Sequence, residues 1–130
     1  MTPSKKQINI LNLAYNVAIQ SNVGRFRHGA VLVSHGKIVN VSSNDNRFCD
    51  FGTKFRSQPG KATLHAELGA ILNVSNKSTK NSVVYVVRVS TNGELRNSKP
   101  CSMCEAAMKF VGISRVIYSV DGGTYEEMKL

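Results

Sequence analysis

The sequence predicts an α/β fold, a three-layer α/β/α sandwich built on a mixed sheet of about four to five strands. Three observations carry this. An amphipathic helix opens the chain, a pair of β-branched runs across His35-Gly36 reads as a hairpin, and apolar strands then alternate with helical segments. A hairpin followed by βα alternation places a mixed sheet between helices. With 130 residues, 42% of them hydrophobic, the chain can bury one core and is too short for two ordinary domains, so residues 1–130 read as one domain.

From Ser4 to about Gln20, polar Lys5, Asn9, Asn12, Asn16 and Gln20 recur at steps of three and four, which leaves the rest of the cylinder apolar. Such a helix packs broadly, most simply on a sheet face, and Asn22-Val23-Gly24 ends it. Gly29 to Ser34 and Lys37 to Ser42 form the hairpin. Ser43 to Thr63 reads as one long irregular stretch, with Arg47, Lys54, Arg56 and Lys61 interleaved with Phe48, Phe51 and Phe55. Two readings of it stay open: phosphate holding and base stacking, or phenylalanines anchoring the loop while cations face water.

A second helix is expected from His65 to about Val74, followed by a polar linker over 75–81. Val83 to Val89, apolar except at Arg88, reads as a central strand covered on both faces. Pro100 suits the first turn of a helix that runs from Cys101 to a stop at Gly112. Arg115 to Val120 is another strand. Thr124 and Glu127 have capping-box spacing, which announces a further short helix.

The formal charge is +9 with a pI near 9.8, which favours phosphate-bearing partners, whether a nucleotide or a nucleic acid. The longest apolar run, Val83 to Val87, is far below the ~20 residues of a membrane helix. The N-terminal segment is interrupted by Asn9, Asn12 and Asn16 and lacks the apolar block of a signal peptide. A cytoplasmic protein without membrane partners is the expectation. Three cysteines, two of them in CxxC, argue for a metal or redox motif over a disulfide framework. Cys49 reads as a free thiol.

The chemistry lies in His65-Ala66-Glu67 and Pro100-Cys101-Ser102-Met103-Cys104. Cys101 and Cys104, three apart at a helix start, share a face, and the helix N-terminus favours their thiolates. His65 begins the other helix, where unfinished winding lets His65 and Glu67 point to one site. Two thiolates and one imidazole make a three-ligand zinc site with one position left for water, the arrangement of catalytic zinc. Glu67, uncoordinated, is placed to shuttle protons, which is the logic of hydrolytic deamination.

These paired motifs resemble the zinc-dependent cytidine and deoxycytidylate deaminase superfamily, with its HxE and PCxxC signature. The similarity in element order runs from about Gly29 to Val120. It implies a cytidine deaminase-like fold, Zn2+ held by His65, Cys101 and Cys104, Glu67 as the catalytic proton shuttle, an Ala66 backbone N–H on the base, and an Asn after the second strand on the sugar. That Asn falls at Asn44, with Asn46 as the fallback. A His as first ligand resembles the deoxycytidylate, tRNA-adenosine and polynucleotide-editing branches. Lys99 stands where the tRNA-adenosine branch usually has Glu, and Gly69 where the deoxycytidylate branch often has Asn. Family members generally continue past the position of Val120 through a helix and a fifth strand, and are commonly homo-oligomers.

The leading expectation is deamination of cytosine to uracil on a nucleoside or nucleotide, with a dCMP-like substrate favoured by the positive charge. The alternatives are a deaminase of bases within single-stranded DNA or RNA, tRNA adenosine included, and a non-catalytic zinc module binding nucleic acid or a partner. Arg88, Arg96 and Lys99 fall near the expected site mouth.

Overall fold

A computed structural model describes residues 1–130. The first helix, α1, spans Lys5–Ala18 and is opened by a capping box: the Gln7 N–H donates to Ser4 Oγ, and the Ser4 N–H donates to Gln7 Oε1 at 2.8 Å. Its buried face is Ile10, Leu11, Ala14, Val17 and Ala18, the steps of three and four that one helical stripe requires.

The hairpin strands are β1 (Arg27–Ser34) and β2 (Lys37–Ser43), joined at His35-Gly36 with φ of 51° and 77°, the paired positive angles of a primed two-residue turn. The expected irregular stretch from Ser43 to Thr63 is in fact partly built. It contains β3 (Asp45–Phe48), a single turn α2 (Asp50–Thr53) and β4 (Thr63–Leu64), and β3 pairs with β4 as an antiparallel ribbon. This pairing joins segments far apart in sequence, so no local signal announces it.

Helix α3 (Ala66–Ile71) is shorter than expected, because Leu72 is already extended and Asn73 has φ of 60°. The polar linker holds one turn, α4 (Asn76–Thr79). Then follow β5 (Val83–Val89), β6 (Leu95–Arg96), α5 (Ser102–Val111) and β7 (Arg115–Ser119). Gly112, at φ of 93°, stops α5 in the left-handed conformation that glycine adopts without a side-chain penalty.

The expected C-terminal helix is absent, and Tyr125–Lys129 forms strand β8, antiparallel to β7. Gly122 and Gly123, at φ of 90° and 84°, reverse the chain directly onto the free edge of β7. There Glu127 accepts from Arg115 Nη1 at 2.8 Å and Glu126 from the Tyr118 hydroxyl at 3.2 Å. Cross-strand partners claim the glutamate that the capping box would have used.

The sheet order is β2-β1-β5-β7-β8, with β6 added to the end of β5. Only β5 and β7 run parallel, joined by the crossover through α5. Along β1, Ala30 and Leu32 join the core beneath α3 and α5, while Val31 and Val33 join the core beneath α1. Val84 and Val86 of β5 likewise oppose Tyr85 and Val87. The central strands are therefore covered on both faces, as their unbroken apolar runs required. No helix is long and apolar enough to cross a membrane.

Candidate metal centre and base cleft

Two helix starts meet at the site. His65 is the N-cap of α3, with φ of −76° and ψ of 152°, so its side chain leaves the chain before helical winding begins. Cys101 is the N-cap of α5 at φ of −71° and ψ of 167°, and Cys104 follows one turn in. His65 Nδ1 lies 3.3 Å from Cys104 Sγ and 3.8 Å from Cys101 Sγ, and the three donor atoms fall within 4.8 Å of one another. Bond lengths of zinc to nitrogen and sulfur in a tetrahedron place such donors about 3.5 to 3.8 Å apart. The donor set and its spacing fit Zn2+.

The electrostatics of the cluster without a metal follow from crowding. The Cys104 thiol donates towards Cys101, and His65 adds to this, so the Cys101 pKa falls to about 3. The same hydrogen bond, with burial, drives Cys104 upward. The bond to Cys101 raises the pKa of His65 against the opposing effect of its burial. One cysteine is thus already a thiolate, the form that ligates metal.

Glu67, in the first turn of α3, is only 5% exposed. Burial pushes its carboxyl up to about 7, against the pull of its own backbone N–H and of the His65 charge. Beside the cluster opens a cleft of about 280 Å³, lined by His65, Ala66, Glu67 and Cys101 on one side and Asn44 and Asn46 on the other.

Asn44 lines this cleft, but most of its side chain is engaged. Oδ1 accepts from Ser21 Oγ at 2.6 Å and from the His28 N–H at 2.9 Å, while Nδ2 donates to the Phe26 carbonyl at 2.7 Å. It clamps the segment before β1, with Val23 and Phe26, and the start of β1 at His28, against the end of β2. Asn46 is exposed at the cleft. Cys49 is a buried free thiol in the α3 and α5 core and belongs to no donor cluster.

Several cleft residues carried no sequence signal. Phe26 is 49% exposed with the Arg88 guanidinium 4.8 Å over its ring. His28 Nδ1 donates to the Phe26 carbonyl at 3.0 Å, and burial lowers its pKa, so it is neutral at pH 7 with Nε2 free to accept. Buried Ser98 donates to the Val86 carbonyl at 2.9 Å and accepts from the Ser119 N–H at 2.9 Å, which ties the approach to Pro100-Cys101 onto β5 and β7. A serine two residues before Pro100 is unremarkable as sequence; only the fold buries it.

The basic aromatic stretch splits between its two readings. Phe51 and Phe55 pack edge to face at 5.3 Å against the core, whereas Phe48 is 65% exposed with Lys61 Nζ 5.4 Å from its ring centre. At Gly69 a side chain would run into Ser42 Oγ, so α3 sits close on β2 and this position has no room for the Asn of the deoxycytidylate branch.

Comparison with known proteins agrees with this geometry. The family model for the cytidine and deoxycytidylate deaminase zinc-binding region matches residues 4–120. No curated protein is significantly similar in sequence. Among solved structures, dCMP deaminase from the cyanophage S-TIM5 matches with a TM-score of 0.65 at 21% identity, over 94% of this chain and 87% of that one. Cytidine deaminase from Burkholderia pseudomallei matches with a TM-score of 0.65 at 17% identity, over 99% of this chain and 93% of that one. RibD from Acinetobacter baumannii matches at a TM-score of 0.55 and 16% identity, over 88% of this chain but only 28% of its own. At such identities the likeness of structure speaks for the fold, and the family match speaks for the chemistry. The chain belongs to the cytidine and deoxycytidylate deaminase zinc-binding family, whose members are hydrolytic deaminases.

Proposed function

We propose that this protein deaminates a cytosine base to uracil on a nucleoside or nucleotide, with a dCMP-like substrate favoured. The observation that carries this is the buried Glu67 carboxyl beside a three-donor cluster at the wall of a base-sized cleft. His65, Cys101 and Cys104 would hold the zinc. Zinc bound there supplies a Lewis acid that lowers the pKa of water to about 7.

The chain's own residues do the rest. Glu67 takes a proton from the attacking water and passes it to the ring nitrogen N3 as oxygen bonds to C4. The same carboxyl then takes the second proton from the new C4 hydroxyl and gives it to the exocyclic amine; the C4–N bond breaks, the C4 carbonyl forms and ammonia leaves. The position of Glu67 beside the donor cluster lets one carboxyl serve both halves of this exchange, as base and then as acid. The Ala66 N–H, in the first turn of α3, is free of intrahelical partners and available to the base. Asn44 keeps one Nδ2 hydrogen for a sugar hydroxyl, with Asn46 exposed beside it as the second candidate.

A second reading, deamination of bases within single-stranded DNA or RNA, is favoured by exposed Phe48 under Lys61. The expectation of a homo-oligomer is supported by exposed Ile38, Val39 and Val41 on edge strand β2. The deciding experiment is mass-spectrometric product detection with zinc-loaded protein and Glu67→Gln, across cytidine, deoxycytidine, CMP, dCMP, single-stranded DNA and tRNA. Conversion by the parent protein and none by the variant is the expected result. No conversion of any substrate would overturn the assignment in favour of a non-catalytic zinc module.

A further inference from the structure

A second cavity of about 290 Å³ adjoins the base cleft, and Thr63, His65 and Cys101 line both. We propose that this cavity, flanked by Arg56 and Lys61, seats a phosphate ester of the substrate, so that the base enters the cleft already attached to a phosphate. The inference rests on the deaminase reading above and names the substrate class for it.

Charge is the first argument. Arg56 and Lys61 line the cavity and no Asp or Glu does. The ion pairs of the protein are Arg96 with Glu94, Lys109 with Glu105 and Arg115 with Glu127, so both cavity cations lack a carboxylate partner. Lys99, the cation of the base cleft, shares that cleft with Asp45 and Glu67. Positive charge without a carboxylate partner therefore gathers in the second cavity, which shares a wall with the base cleft.

Preorganisation is the second. Arg56 Nη1 donates to the Lys61 carbonyl at 2.7 Å, which fixes a half-buried guanidinium and leaves its remaining N–H groups for an anion. A held, planar fork is the donor geometry that phosphate oxygens take in pairs. Ser57, Gln58 and Ser102 add neutral donors around the same space. No carboxylate in the fold pairs with these charges, and the loop's apolar anchors are Phe51 and Phe55.

The phosphate could belong to a free nucleotide or to a strand. Phe48 pairs across the ribbon with Thr63, one of the three residues common to both cavities, and offers an exposed aromatic face to a neighbouring base.

The test compares zinc-loaded wild type with Arg56→Gln, which keeps a side-chain N–H for the Lys61 carbonyl and removes the charge. The kcat/KM values are measured for deoxycytidine, dCMP and a cytosine-centred trinucleotide. The wild type should prefer at least one phosphate-bearing substrate over deoxycytidine, and in the variant that preference should fall by about tenfold or more. Preference for dCMP identifies the free nucleotide as the source. Preference confined to the trinucleotide, and weakened by Phe48→Ala, identifies the strand. No preference in the wild type, or the same preference in both proteins, overturns the proposal.

If no substrate is turned over, the deaminase reading fails separately, and calorimetric binding of dUMP against deoxyuridine decides the phosphate seat. Tighter dUMP binding that Arg56→Gln abolishes upholds it, and equal binding of the two ligands refutes it. Should Arg56→Gln not fold, Lys61→Gln is put through the same comparison.

Discussion

Replacing Glu67 by Gln should stabilise the metal-free protein, and the gain should emerge only as the pH rises. Burial holds the Glu67 carboxyl near 7 against its ordinary 4.5. The folded chain thus binds this proton more tightly than the unfolded chain does. The stabilisation that the proton confers is complete below about pH 4.5 and is lost as the pH climbs through about 7. At about 1.4 kcal/mol per pH unit, the loss across that window amounts to about 3 kcal/mol. Glutamine has nearly the same volume and carries no charge, so it escapes the loss. The assay is urea unfolding with chelator and reductant present, at several pH values from 5 to 8, on both proteins. His65 and the cysteines are common to both, so the difference between the two curves reports position 67 together with its coupling to His65 and Cys104. A difference that stays constant within about 0.5 kcal/mol over this range would refute the claim that Glu67 is desolvated.

Two further outcomes test how the site is held. Gly29→Ala places a methyl group against the Ala14 carbonyl oxygen and the Ala18 backbone of α1, which cannot move aside without lifting the helix from the sheet. It should cost about 1–3 kcal/mol in urea unfolding while zinc content per folded molecule stays the same. Ser98→Ala strands the buried Ser119 N–H and frees the approach to Pro100-Cys101, so it should cost about 1–3 kcal/mol and also speed zinc loss to a chromophoric chelator. An unchanged rate of zinc loss would show that the Ser98 network serves stability alone.

Much of this was legible in the sequence because the signals are local or periodic. The polar positions of α1 recur at helical steps, His35-Gly36 demands the tight turn that it forms, and the apolar runs of β1 and β5 need cover on both faces. The donor motifs were equally plain, since two cysteines one turn apart and a histidine at a helix start carry their spacing with them. Thr124 and Glu127 misled because a capping box is a local preference, and the open edge of β7 offered cross-strand partners to Glu126 and Glu127 instead.

The amino-acid order by itself determined the main elements α1, β1, β2, α3, β5, α5 and β7, the three candidate metal donors and the carboxylate beside them, and the positive charge that favours phosphate. It did not determine the β3–β4 ribbon, the short turns α2 and α4, or β6. Only the tertiary structure decided how far apart those donors stand, that Asn44 spends most of its side chain clamping the segment before β1, and that Phe48 faces water while Phe51 and Phe55 face the core. It also decided that Arg56 and Lys61 gather beside His65 in one cavity. The division has one cause. Helical and strand periodicity are set by neighbours a few residues away, whereas burial, charge pairing and the meeting of two helix starts depend on contacts between residues tens of positions apart, which no local pattern encodes.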